Sequence, residues 1–125
     1  MMSELACLEV AVLLWLVHLI LQATLAGVPP DWNVGPRDEP PPPPPVLGGR
    51  AARAFHNYME SFPVFAALTL AFLATNHPAG LWPTLWIAAR IVYLPLYLAG
   101  VPYVRTLVWV VALVALVAML IRLAL

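Results

Sequence analysis

Four long apolar runs divide the chain: Leu5 to Val28, Tyr58 to Asn76, Leu81 to Ala99, and Tyr103 to Leu125. Each is about 20 residues, the length an α-helix needs to cross a bilayer core. The first run carries Glu9, His18 and Gln22 among residues that are mostly Leu, Val and Ala. It is too long for a signal-peptide core, and the Met-Met-Ser-Glu before it is acidic, so it reads as a helix that stays in the membrane. His77-Pro78-Ala79-Gly80 and Gly100-Val101-Pro102 are turn sequences. Such short connections make runs two and three, and three and four, antiparallel neighbours. The pattern predicts an all-α integral membrane protein, one domain over 1–125, with helices at about 4–28, 50–76, 81–99 and 102–124. Between the first two lies a Pro-rich loop, 29–49, that contains six consecutive prolines from Pro40 to Pro45. A proline run favours a stiff polyproline II rod, suited to a rigid connector or to a ligand for a proline-binding domain.

Composition agrees with this pattern. Hydrophobic residues make up 63% of the 125 and charged residues 10%, against about 25% charged in an ordinary soluble domain. Mean hydropathy is +0.90. A soluble domain and a disordered chain are both excluded. A net charge of zero, with no basic stripe, argues against nucleic acid. A single cysteine, Cys7, excludes an internal disulfide framework and reads as a small apolar filler. Arg37, Arg50, Arg53 and Arg105 lie on one side of the predicted topology and only Arg122 on the other, so the arginine-rich side is expected to face the cytoplasm.

The charges inside the membrane carry the chemistry. From Ser61 to Val104 the only charged side chain is Arg90, in the middle of the third run. A charge at that depth faces protein, water or a ligand, or snorkels to the interface. Tyr93 and Tyr97 follow Arg90 on the same helical stripe. Arg50, Arg53, Asn57 and Glu60 recur at spacings of three, four and three, and so share one helix face. The other face shows Ala51, Ala54 and Phe55, suited to lipid or to a neighbouring helix. The topology places both stripes and Arg105 in one leaflet. The expected result is a net positive, aromatic-edged cavity, with four guanidiniums against the single carboxylate of Glu60. Arginine forks match carboxylates and phosphates, so the ligand would be small and zwitterionic with excess negative charge. A buried polar network without a ligand is the competing reading.

Gly49-Arg50-Ala51-Ala52-Arg53-Ala54-Phe55-His56-Asn57-Tyr58-Met59-Glu60-Ser61-Phe62-Pro63 resembles the second-helix signature of the MAPEG family, the membrane-associated proteins of eicosanoid and glutathione metabolism. Arg90-Ile91-Val92-Tyr93-Leu94-Pro95-Leu96-Tyr97, followed by Arg105, is similar to that family's third and fourth helices. Gly35-Pro36-Arg37-Asp38 looks like the loop of bacterial members, which implies a bacterial inner membrane. The resemblance implies a four-helix bundle assembled as a homotrimer, with glutathione bound as cosubstrate between subunits. Carried over by position, Arg53, Asn57, Glu60, Arg90, Tyr93 and Tyr97 would hold the peptide, and Arg105 would stabilise the thiolate. A small lipophilic second substrate would arrive from the lipid bilayer. Some departures from the eicosanoid synthases are visible, among them His56 and Thr106 where the prostaglandin synthase has arginine and serine. The expected activity is therefore a glutathione-dependent transferase or peroxidase. The alternative is a non-catalytic lipid-binding or scaffold protein of the same fold, and a small transporter is a third possibility.

The remaining residues are assigned blander roles. His18 is expected to hydrogen-bond across helices, and His56 to touch the ligand or sit at the interface. The three histidines show no metal-ligand spacing. Trp82, Trp86 and Trp109 suit interface belts or packing, and Pro63 and Pro95 are expected to kink their helices.

Overall fold

Local signals in the sequence set where each helix begins and ends. In the computed structural model, which describes residues 1–125, α1 runs Glu4–Leu25, α2 Pro30–Val34, α3 Val46–Thr75, α4 Trp82–Leu98 and α5 Val104–Ala124. Ser3 caps α1, its hydroxyl accepting the Ala6 N–H at 3.1 Å. α3 and α4 both end in Schellman turns. Asn76 and Gly100 take the left-handed conformation, and the next residues, His77 and Val101, donate back to Phe72 and Leu96.

Three boundaries differ from the sequence reading. α1 stops at Leu25, because Gly27 turns the chain with a φ of +68°. The loop holds the short α2, whose first helical residue is a proline. α3 starts at Val46 rather than near residue 50, directly after Pro45 closes the proline run in extended geometry (φ −60°, ψ 163°). α3 and α4 are each continuous through Pro63 and Pro95.

Contacts at the helix ends establish the topology. At one end the α1 terminus lies on Gly48 of α3, and Arg50 donates to the Leu98 carbonyl of α4 at 3.2 Å. At the other, Glu4 accepts the Ala79 N–H at 2.9 Å, Thr84 accepts the Met2 N–H at 3.0 Å, and Arg122 donates to the Pro78 carbonyl at 2.7 Å. The four long helices therefore alternate in direction. α1 packs chiefly on α3, and α4 on α5. α1, α3 and α5 are long and apolar enough to cross a membrane. α4 has 17 residues, about 26 Å at the α-helical rise.

Small residues let α1 and α3 approach closely, as helices in lipid require. Ala11, Ala51 and Ala54 are all buried, which places the Ala51 and Phe55 side of α3 against protein, while Cys7 is buried against Thr84 of α4. An aromatic column fills the interior. His18 stacks on Tyr58 at 4.5 Å, and Trp86 stacks on Phe65 at 4.0 Å. Contrary to expectation, His18 bonds its own helix, with Nδ1 2.7 Å from the Leu14 carbonyl. The cross-helix bond is made by the Tyr58 hydroxyl, which donates to the Ala11 carbonyl at 2.5 Å. Leu13, Ile20, Leu70, Leu107, Val114 and Ile121 face outward. Such a surface suits lipid and would be an aggregation hazard in water.

The α1–α3 contact yields a prediction. A Cβ at Gly48 would overlap the Leu25 carbonyl oxygen and would also press on Ala26. Neither backbone atom can yield without moving α1. Gly48→Ala is expected to destabilise the fold by about 1–3 kcal/mol, the usual cost of overpacking. Thermal unfolding in detergent, followed by circular dichroism, measures it.

Candidate functional site

The two polar stripes meet because α3 and α4 run antiparallel. The first half of α3 carries Arg53, Asn57 and Glu60, and the second half of α4 carries Tyr93 and Tyr97. Arg105 is the second residue of α5, which starts from the same end. These side chains, with Ala52 and His56, line a cavity of about 430 Å³, within the range of small-molecule sites. Six of the eight residues expected in the cavity thus face one space. The exceptions are Arg50 and Arg90.

The cavity is positive for a structural reason. Neither Arg53 nor Arg105 has a carboxylate within ion-pair distance, and the one close ion-pair geometry is His56–Glu60 at 3.5 Å, between exposed side chains. Arg105 instead lies over the Tyr97 ring at 4.5 Å, which fixes its position without neutralising it. Tyr97 meets Tyr93 edge-on at 5.6 Å, and Arg90 lies over Tyr93 at 4.5 Å. Cation, ring, ring and cation form one wall of the cavity and its backing.

The whole of this arrangement sits in a chain that matches the MAPEG family model over residues 5–125. The chain belongs to the MAPEG family. No curated protein and no solved structure matches it. MAPEG membership and the three long apolar helices make it a multi-pass membrane protein of the eicosanoid and glutathione metabolism kind.

In this MAPEG protein two of the expected four arginines do not line the cavity. Arg50 is drawn to the end of α4, where it donates to the Leu98 carbonyl and lines an adjoining space of about 240 Å³ with Arg53, Tyr97 and Arg105. There it meets the negative end of the helix dipole. Gly100 makes room for it: a Cβ there would stand 2.6 Å from the guanidinium. Arg90 is 1% exposed and lies behind the cavity wall. One of its terminal nitrogens donates to Asn57 Oδ1 at 2.8 Å, and the guanidinium also lies 5.2 Å from the Tyr58 ring. Its Nε and other terminal nitrogen have no partner. Arg90 touches the cavity through two lining residues, Asn57 by a hydrogen bond and Tyr93 by its ring. Two guanidiniums, not four, face the single carboxylate.

The sequence reading overlooked an adjoining apolar groove of about 320 Å³ between α3 and α5. Asn57 and Glu60 belong to both spaces. Its far wall is Trp109, Leu113, Leu116, Val117 and Leu120. Those positions follow i, i+4, i+7, i+8 and i+11 spacing, a helical stripe that was available to be read. The groove's volume and its apolar lining suit a hydrocarbon chain. No three His, Cys, Asp or Glu side chains come together as a metal would require.

Proposed function

We propose that this protein is a glutathione-dependent transferase or peroxidase that acts on a lipophilic electrophile, with the thiolate stabilised by Arg105. The carrying observation is the cavity that gathers Arg53, Asn57, Glu60, Tyr97 and Arg105, with two unpaired guanidiniums against one carboxylate. Glutathione has the complementary charges: two carboxylates, one ammonium and a thiol. Arg53 and the Asn57 amide would take a carboxylate, Glu60 the ammonium, and Tyr93 and Tyr97 the peptide's flank. Arg105 would favour loss of the thiol proton and so raise the thiolate fraction. In the transferase reaction the sulfur forms a bond to the electrophilic carbon as the leaving group departs with its electron pair. The groove along Trp109 and Leu113 opens from the same two residues, Asn57 and Glu60, and would hold the lipophilic partner.

The same reading makes α4 the fourth crossing of a four-helix bundle, and a homotrimer the working unit. The site would face the cytoplasm of a bacterial cell, because Arg37, Arg50, Arg53 and Arg105 gather at its end.

A non-catalytic binding protein is the second reading. Its support is Glu60, which already faces His56 and so is less free to hold an ammonium. Calorimetry of the detergent-purified protein with glutathione separates the two. Binding is expected at millimolar glutathione or below. Arg53→Ala and Glu60→Ala are each expected to weaken it about 10- to 100-fold, the worth of a hydrogen bond to a charged group. Absence of heat at millimolar glutathione defeats the proposal. Binding without conjugation of a chromogenic aryl halide favours the second reading.

A further inference from the structure

The end of the protein opposite the cavity holds a second site. A groove of about 530 Å³ lies there between the start of α4 and the end of α5, lined by Leu81, Trp82, Thr84, Leu85, Ala88 and Arg122. Leu81, Leu85 and Ala88 fall at i, i+4 and i+7, so they make one stripe that descends α4 from the membrane surface. All three are exposed.

Arg122 stands at the mouth of this groove, in the last turn of α5. Its Nε donates to the Pro78 carbonyl at 2.7 Å. Its Cζ lies 3.4 Å from where a Gly80 Cβ would be, so the turn passes against the guanidinium and fixes it. The two terminal nitrogens make no protein hydrogen bond, and no carboxylate lies within ion-pair distance. The nearby carboxylate of Glu4 is occupied with the Ala79 N–H. Arg122 is therefore a positioned fork with its free edge outward, the geometry that suits phosphate oxygens. α5 is long enough to cross the bilayer, which puts its last turn at headgroup depth and the groove beneath it at acyl-chain depth.

We propose that this groove binds an anionic phospholipid, its phosphate on Arg122 and one acyl chain along Leu81, Leu85 and Ala88. A molecule with a phosphate at the surface and a continuous hydrocarbon below it matches both halves of the site. An anionic headgroup is favoured because it brings no ammonium to compete for the phosphate.

The test uses the full chain in detergent micelles and the quenching of tryptophan fluorescence by phospholipids with brominated acyl chains. Trp82 lines the groove, and Trp82→Phe identifies its share of the signal. Brominated phosphatidylglycerol is expected to quench Trp82 at about fivefold lower concentration than brominated phosphatidylcholine, the factor one arginine supplies against an anionic headgroup. Arg122→Gln is expected to remove that difference. Ala88→Phe, which fills the groove and leaves Arg122 in place, is expected to reduce quenching by both lipids. Equal quenching by the two lipids in the unaltered protein overturns the proposal. So does an undiminished preference in Arg122→Gln, or undiminished quenching in Ala88→Phe.

Discussion

Arg105→Ala is expected to slow thiol conjugation about 10- to 100-fold at neutral pH, and to shift the pH profile of the rate upward. A cation within a few ångströms lowers the pKa of an acidic group by about one to three units. Without Arg105, the bound thiol returns toward the ordinary value of about 8.5. Below that value most of the thiol stays protonated, so the rate falls at neutral pH and recovers as pH rises through the higher pKa. The lower limit arises because a more basic thiolate is also a better nucleophile, which offsets part of the lost thiolate fraction. The upper limit is the loss typical of removing one positioned donor from a developing anion.

Arg105 suits this role because it is held without being neutralised. Its guanidinium rests on the Tyr97 ring, and no carboxylate reaches it. An arginine in a close ion pair would offer a thiolate much less. Arg105→Lys keeps the charge but loses the planar stack on Tyr97, so its rate is expected to fall between the two. Stopped-flow or steady-state conjugation of a chromogenic aryl halide, measured across pH, gives both rate and profile. An Arg105→Ala variant with unchanged rate and profile removes the residue from the chemistry.

The sequence pattern reveals which residues share a helix face more readily than which way that face turns. Helical spacing alone is enough to group Arg53, Asn57 and Glu60, and separately Tyr93 and Tyr97, and the short turns bring the two groups to one end. Spacing cannot tell that Arg90 lies behind Tyr93 rather than beside it, because that depends on the rotation of α4 against α3. Arg50 is a similar case. Its partner is the carbonyl end of α4, which is close only after the helices have packed. His18 is polar enough to call for a partner on another helix, yet its Nδ1 bonds a carbonyl one turn back on its own helix and its buried Nε2 has no partner. The early start of α3 was hidden by Gly48 and Gly49, poor helix formers by propensity. Packing overrides the propensity at Gly48, since only glycine allows α1 to end against that turn.

Arg90→Leu is expected to weaken glutathione binding about tenfold or more while leaving the fold at least as stable. Arginine has only donors, so the nitrogen 2.8 Å from Asn57 must face the amide oxygen. That contact fixes the orientation of the amide and leaves its NH2 group, which has no protein partner, to donate to a bound carboxylate. Without Arg90 the amide is free to flip and present its oxygen, which repels the same carboxylate. The lost bond to a charged group is worth about 1.5–3 kcal/mol. Stability runs the other way. Arg90 is buried with two unpartnered nitrogens in the middle of an apolar helix, which is costly in a membrane. Leucine removes that cost and gives up cation–π contacts with Tyr58 and Tyr93 worth about 0.5–2 kcal/mol. A double-mutant cycle with Asn57→Ala distinguishes a positioning residue from a ligand-binding one. If Arg90 acts through Asn57, the double variant binds glutathione no more weakly than Asn57→Ala alone. If the losses add, Arg90 acts by a route other than Asn57, either through the Tyr93 ring it lies over or on the ligand itself, and a second cycle with Tyr93→Phe or Tyr93→Ala separates the two.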